Sequence, residues 1–116
     1  MYRHQPAWLA FEEAVRGPGV GRLASIRASF VLVDDYPRPD GPPESRNWRH
    51  DPARGGGVSH DYFAYVANGA TSLARAWPRR VSALRRLDPA LGVVSVLAGT
   101  VEFQNGVIAT LESGWH

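Results

Sequence analysis

Asn105-Gly106 stands between two apolar, alternating runs, residues 93–103 and 107–115, and this limits the fold more tightly than anything else in the sequence. Asn-Gly accepts the backbone conformations that reverse a chain between antiparallel strands, so the segment reads as a β-hairpin. Val93, Leu97, Val101 and Phe103 share one face of the first strand, and Val107, Ala109, Leu111 and Trp115 share one face of the second. A hairpin with one apolar face needs a covering layer and further strands before it is stable.

The rest of the chain supplies both. Residues 6–16 suit a short helix: Pro6 fits the first turn, Trp8, Phe11 and Val15 recur at helical spacing, Glu12 and Glu13 lie between them, and Gly17-Pro18-Gly19 ends the run. Residues 23–33 alternate as a strand, with Ala24, Ile26, Ala28, Phe30 and Leu32 on one face and Ser25, Arg27 and Ser29 on the other. Residues 34–54 hold Pro37, Pro39, Pro42, Pro43 and Pro52, and proline's fixed φ and missing N–H exclude regular structure over that length. A second helix is expected over 60–76, with Phe63, Val66, Ala67, Ala70, Leu73 and Trp77 as its apolar stripe and Pro78 as its stop. Asn68-Gly69 weakens that helix, since glycine costs about 1 kcal/mol there relative to alanine. Residues 81–87 complete a set of four strands. The order predicts an α+β fold, a mostly antiparallel sheet with helices packed on one face.

With 116 residues the chain has room for one domain with a modest core. No apolar run approaches the roughly 18 residues of a membrane helix, and residues 1–6 lack the apolar centre of a signal peptide. There is no cysteine, hence no disulfide framework or thiolate metal site, and the four histidines show no metal-ligand spacing. Cytoplasm is the default address. All thirteen basic residues are arginine and the net charge is +2, but they are scattered rather than gathered into the basic stripe of a nucleic-acid surface. No nucleic-acid and no membrane partner is expected. Without lysine, any lysine-dependent chemistry must come from another chain.

The stretch 47–65 carries the candidate chemistry. Gly55-Gly56-Gly57 before a helix would let the backbone approach a flat ligand and would expose helix N-terminal amides. Asp61 would cap the first turn, and Tyr65, four residues on, would share its face, followed by Asn68 and Ser72. The same residues fit a plain loop, an ordinary cap and a packed surface tyrosine. Spacing leaves both readings open.

Asn47-Trp48-Arg49, then Gly55-Gly56-Gly57, then Asp61-x-x-x-Tyr65 resemble the Gfo/Idh/MocA family of oxidoreductases in order and approximate spacing. Tyr2-Arg3-His4-Gln5-Pro6, Gly19-Val20-Gly21-Arg22-Leu23 and the 101–115 strand-Asn-Gly-strand ending resemble further family segments, so the likeness spans nearly the whole chain. Two positions depart from it: Phe63 stands where the family often has glycine, and Asn68 where it is often acidic.

The resemblance implies that residues 1–116 are a single, partial C-terminal substrate and oligomerisation domain, with the N-terminal Rossmann domain absent and Met1 falling where the family chain leaves it. It implies an NAD- or NADP-dependent oxidoreductase acting on a sugar, inositol or related polyol. Tyr65 would be the catalytic acid/base and Asp61 the carboxylate that orients substrate. Trp48, Arg49, Gly55, Gly56, Gly57 and Asn68 would lie near substrate or cofactor. The chain has neither a Gly-x-Gly-x-x-Gly nor the family's Glu-Lys-Pro segment. It is therefore expected neither to bind the cofactor nor to turn over by itself, and a Rossmann-domain partner chain and a homo-oligomer formed through the sheet are the implied partners. The alternative is a non-enzymatic dimerisation or ligand-binding module.

Overall fold

The computed structural model describes residues 2–33 and 47–115; most of the proline-rich stretch expected to be irregular therefore lies outside the described residues. Helix α1 spans Pro6–Arg16, with Pro6 in its first turn and Gly17 at its end. Strand β1 is Ser25–Leu32 and helix α2 is Tyr62–Ala74. Strands β2 (Pro78–Leu87), β3 (Val94–Phe103) and β4 (Ile108–Trp115) follow. The sheet order is β1-β4-β3-β2. Both β2–β3 and β3–β4 are antiparallel, while β1 and β4 run parallel. The expected α+β architecture with a mostly antiparallel sheet is borne out.

The hairpin forms where Asn-Gly predicts, through a three-residue turn. The Phe103 N–H donates to the Val107 carbonyl at 2.9 Å, and Gly106 alone in the turn has positive φ, +84°. Asn105 does more than turn the chain: its Oδ1 accepts from the Val107 N–H at 3.2 Å, and its Nδ2 donates to the Ala74 carbonyl at 2.8 Å. One side chain thus satisfies both the turn and an orphan carbonyl at the end of α2.

Val66, Ala70 and Ala74 of α2 pack on Val101, Phe103, Val107, Ala109 and Leu111, and Ile26, Ala28 and Phe30 of β1 extend that core. Burying Phe103 and Leu111 completely contributes about 1.5–3 kcal/mol each by transfer free energy. A second cluster joins Val58, Tyr62, Val93, Val94 and Trp115. Helix α2 ends at Arg75, whose left-handed backbone (φ 52°) directs its N–H to the Thr71 carbonyl. It is this left-handed residue, not Pro78, that stops the helix; Pro78 opens β2, an edge position where no amide is missed. Trp77 accordingly leaves the predicted stripe and is 75% exposed.

Strand β2 is exposed along its whole length, Val81 and Leu84 included. Its four arginines are the kind of charge that blunts an edge against further strand pairing. Helix α1 meets α2 through Trp8 and Glu12, and Phe11, expected to be apolar packing, is half-exposed beside a cleft.

Candidate functional site

The segment leading into α2 is built from two short 3-10 turns. In the first, Trp48–His50, Asn47 Oδ1 accepts the Arg49 N–H at 3.1 Å. In the second, Pro52–Arg54, Asp51 Oδ1 accepts the Ala53 N–H at 2.9 Å. The glycine run then folds back on them. Gly56 donates to the Asp51 carbonyl at 2.9 Å, Gly57 to the Arg49 carbonyl at 2.8 Å, and Val58 to the Val94 carbonyl at 2.8 Å. A Cβ on Gly56 would stand 2.5 Å from the Arg49 carbonyl oxygen, and one on Gly57 would stand 2.9 Å from the Val94 amide nitrogen. Gly55 and Gly57 also have positive φ, +78° and +101°. The glycine run suggests room for a ligand, but at Gly56 and Gly57 that room is filled by the chain's own backbone. Gly56 closes the two turns on each other, and Gly57 with Val58 fastens the helix shoulder to β3.

That shoulder carries Arg49 to Asp61. The guanidinium Nε donates to Asp61 Oδ2 in an ion pair whose side chains are 27% and 9% exposed. Arg49 also lies over the Trp48 ring, 4.8 Å from its centroid, and 5.9 Å from that of Tyr62. Asp61 occupies the N-cap position of α2, yet it makes no side-chain cap. The expected amide cap is replaced by an ion pair with the arginine, and Asp61 stands at φ −106° and ψ −84°, away from the extended backbone a capping residue usually adopts.

Tyr65 lies one turn further on. Its ring packs edge-on against Tyr2, with centroids 5.3 Å apart, and in a tilted arrangement against Phe30 at 5.8 Å, and the residue is 39% exposed. Two cavities walled by described residues border it. One is an apolar cleft of about 710 Å³ between α1, β1 and α2, lined by Trp8, Phe11, Ile26, Phe30, Tyr65 and Leu73 among others. The other, about 170 Å³, is lined by Tyr2, Arg3, Trp8, Ala64, Tyr65, Asn68 and Gly69. Asp61 lines neither. Tyr65 and Asn68 therefore share a cavity as the helical spacing suggested, whereas Asp61 turns to Arg49. The i, i+4 rule presumes that both residues lie inside the helix; Asp61, at φ −106° and ψ −84°, stands just outside it.

Ser72, placed by spacing on the same polar flank, instead donates its hydroxyl to Glu12 Oε1 of α1. Glu12 is buried and is also held by Arg16 at 3.1 Å. The Ser72 hydroxyl holds the Glu12 carboxyl below the ordinary glutamate range; burial opposes this, while Trp8, Arg16 and Arg3 reinforce it. Gly69 explains why a glycine is tolerated within α2: a Cβ there would be 3.1 Å from the Trp8 ring edge.

Two residues of this region are not singled out by the sequence. Arg3 lines the smaller cavity with Tyr65, 62 positions away, where Tyr2 packs against the Tyr65 ring, a juxtaposition that leaves no local signal. Glu12, expected only to lie between the apolar positions of α1, is buried against Ser72 of α2. His60 is exposed and lies 3.3 Å from the Ser59 hydroxyl. Among the described residues no three histidine or carboxylate side chains gather as a metal site would, and no helix is long and apolar enough to cross a membrane.

Comparison with known proteins supplies the context for this geometry. An uncharacterized oxidoreductase from Rhizobium meliloti is 28% identical over 111 residues, which is 96% of this chain and 31% of that protein. An NAD-binding protein from Listeria innocua superposes with a TM-score of 0.78 at 21% identity over 97% of this chain and 31% of its own. An aldose-aldose oxidoreductase from Caulobacter crescentus, solved with glycerol, gives 0.77 at 22% identity over 97% and 32%. The chain thus spans about a third of the length of these relatives. Residues 8–116 match the GFO/IDH/MocA C-terminal domain, and the chain belongs to that family.

Proposed function

We propose that this chain is the C-terminal, substrate-binding and oligomerisation domain of an NAD- or NADP-dependent oxidoreductase acting on a sugar, inositol or related polyol. The observation that carries the reading is the cavity on the flank of α2, whose lining brings together Tyr65, Asn68 and Arg3 with the aromatic residues Tyr2 and Trp8. The family membership supports an oxidoreductase, and the aldose-acting neighbour supports a polyhydroxylated substrate.

The described residues do not fit a nicotinamide dinucleotide. The glycine run that could have cradled a pyrophosphate is closed by the chain's own carbonyls and amides, and no Gly-x-Gly-x-x-Gly follows a strand. The cofactor would be held by a Rossmann domain outside this chain, in a partner chain or in an upstream part of the same protein. What these residues supply is substrate handling. Tyr65 lines the cavity, and in this reading its hydroxyl gives or takes the proton of a substrate hydroxyl. Asn68 can both donate to and accept from substrate oxygens. Asp61 acts on the substrate side only through a shoulder fixed by Arg49, Gly56 and Gly57.

Adding a Rossmann half in trans tests the reading through polyol-dependent reduction of NAD or NADP. Tyr65→Phe should lower restored activity by about 100-fold or more, the scale of lost general acid/base catalysis. The isolated chain should bind neither cofactor at micromolar concentration. Activity unchanged in the Phe variant would reject Tyr65 as the acid/base.

A second reading, a non-enzymatic dimerisation module, draws on β2, exposed on both faces with Val81 and Leu84 uncovered. A strictly monomeric chain in sedimentation would count against it, and also against assembly through the sheet.

A further inference from the structure

The smaller cavity beside Tyr65 has a charge character that a neutral polyol does not use. Its lining holds one cation, Arg3, and no carboxylate. Among the described residues Arg3 enters no ion pair. The acid that feels its charge, Glu12, is already bonded to Ser72 and Arg16 and lines neither cavity beside Tyr65. A guanidinium stays charged at any working pH and presents a planar fork of donors suited to two oxygens at once. The same lining holds Asn68 and Tyr65, whose amide and hydroxyl can bond hydroxyls, and Tyr2 and Trp8, whose rings suit C–H surfaces. At about 170 Å³ the space is smaller than the roughly 300–1,000 Å³ of pockets that enclose drug-sized ligands. It takes one small group rather than a whole cofactor.

We propose that Arg3, Asn68 and Tyr65 form a subsite for a negatively charged sugar derivative, in which Arg3 reads an anionic oxygen pair and Asn68 and Tyr65 read neighbouring hydroxyls. The proposal rests on the sugar or polyol reading above and narrows it to acidic substrates. The shared chemistry is a carboxylate or phosphate carried on a polyhydroxylated chain or ring. Arg3 is exposed, so replacing it leaves the core untouched.

The test is titration of the isotope-labelled chain, followed by NMR at the Tyr65 and Asn68 amides, with D-gluconate, D-glucose 6-phosphate and D-glucose. The acidic ligands should bind about tenfold or more tightly than glucose, the scale of one charge-assisted hydrogen bond. Comparison of the two acidic arms tells carboxylate from phosphate. Arg3→Gln should erase the preference while leaving the thermal midpoint unchanged, and Arg3→Lys should restore part of it as a point charge without the fork. Equal binding of glucose and the acids, or a preference that survives Arg3→Gln, overturns the role of Arg3 and leaves the polyol reading standing. If none of the three ligands moves Tyr65 or Asn68, both fall.

Discussion

The two shoulders of α2 are built to opposite ends. At the first, Asp61 is buried and paired, and Gly56 and Gly57 lie tight against backbone. One turn further on, Tyr65 and Asn68 border open space, and the cation beside them, Arg3, arrives from another element on an exposed side chain. In the proposed reading the closed shoulder carries structure and the open flank carries recognition. Substitutions should therefore separate into those that unfold and those that disarm.

The largest effect should come from Asp61→Ala. It leaves Arg49 partly buried without its carboxylate, a loss of about 3 kcal/mol by the scale of broken buried pairs, somewhat reduced by the exposure of Arg49. Denaturant unfolding measures it, and a loss below about 0.5 kcal/mol, typical of surface changes, would erase the contrast between the shoulders. Gly57→Ala should cost about 2 kcal/mol, because it adds left-handed strain to a contact with the Val94 amide. A thermal melt equal to the parent would show the glycine to be dispensable.

A smaller effect should appear on the acid side. Folding lowers the Glu12 pKa, so the folded state holds fewer protons on this carboxyl than the unfolded chain. Its stabilisation is complete above the unfolded value and is lost as the pH falls through the lower, folded one. Ser72→Ala removes the largest cause, so melting midpoints of the variant and the parent should converge below the ordinary glutamate range and separate above it. A gap that does not change with pH would deny the link. Least of all, Tyr65→Phe keeps the ring contacts with Tyr2 and Phe30 and should shift stability by no more than about 0.5 kcal/mol. A large loss would place Tyr65 in the structural class with Asp61.

The sequence made legible whatever depends on local periodicity. The span of α1, the alternation of β1, and the hairpin around Asn105-Gly106 all follow from rules that act within a few residues. The parallel pairing of β1 with β4 was hidden, because it joins strands more than eighty residues apart and no local pattern encodes a neighbour's direction. At the site, Tyr65 and Asn68 fall together because they stand three positions apart on one helix. Asp61 was misread because a carboxylate before a helix looks the same whether it caps amides or meets an arginine twelve residues back. The glycines show the same limit: a missing Cβ is visible in the sequence, but whether a ligand or the chain itself takes its place is not.

The indole of Trp8 rests where Gly69 has no side chain. That absent methyl works as a gauge: it sets how near the leading helix can settle, and through it where the arginine five residues earlier is held. Charge selectivity in the cavity would then be adjustable from a position that carries no charge, by changing the depth of a notch rather than the identity of any group that meets the substrate.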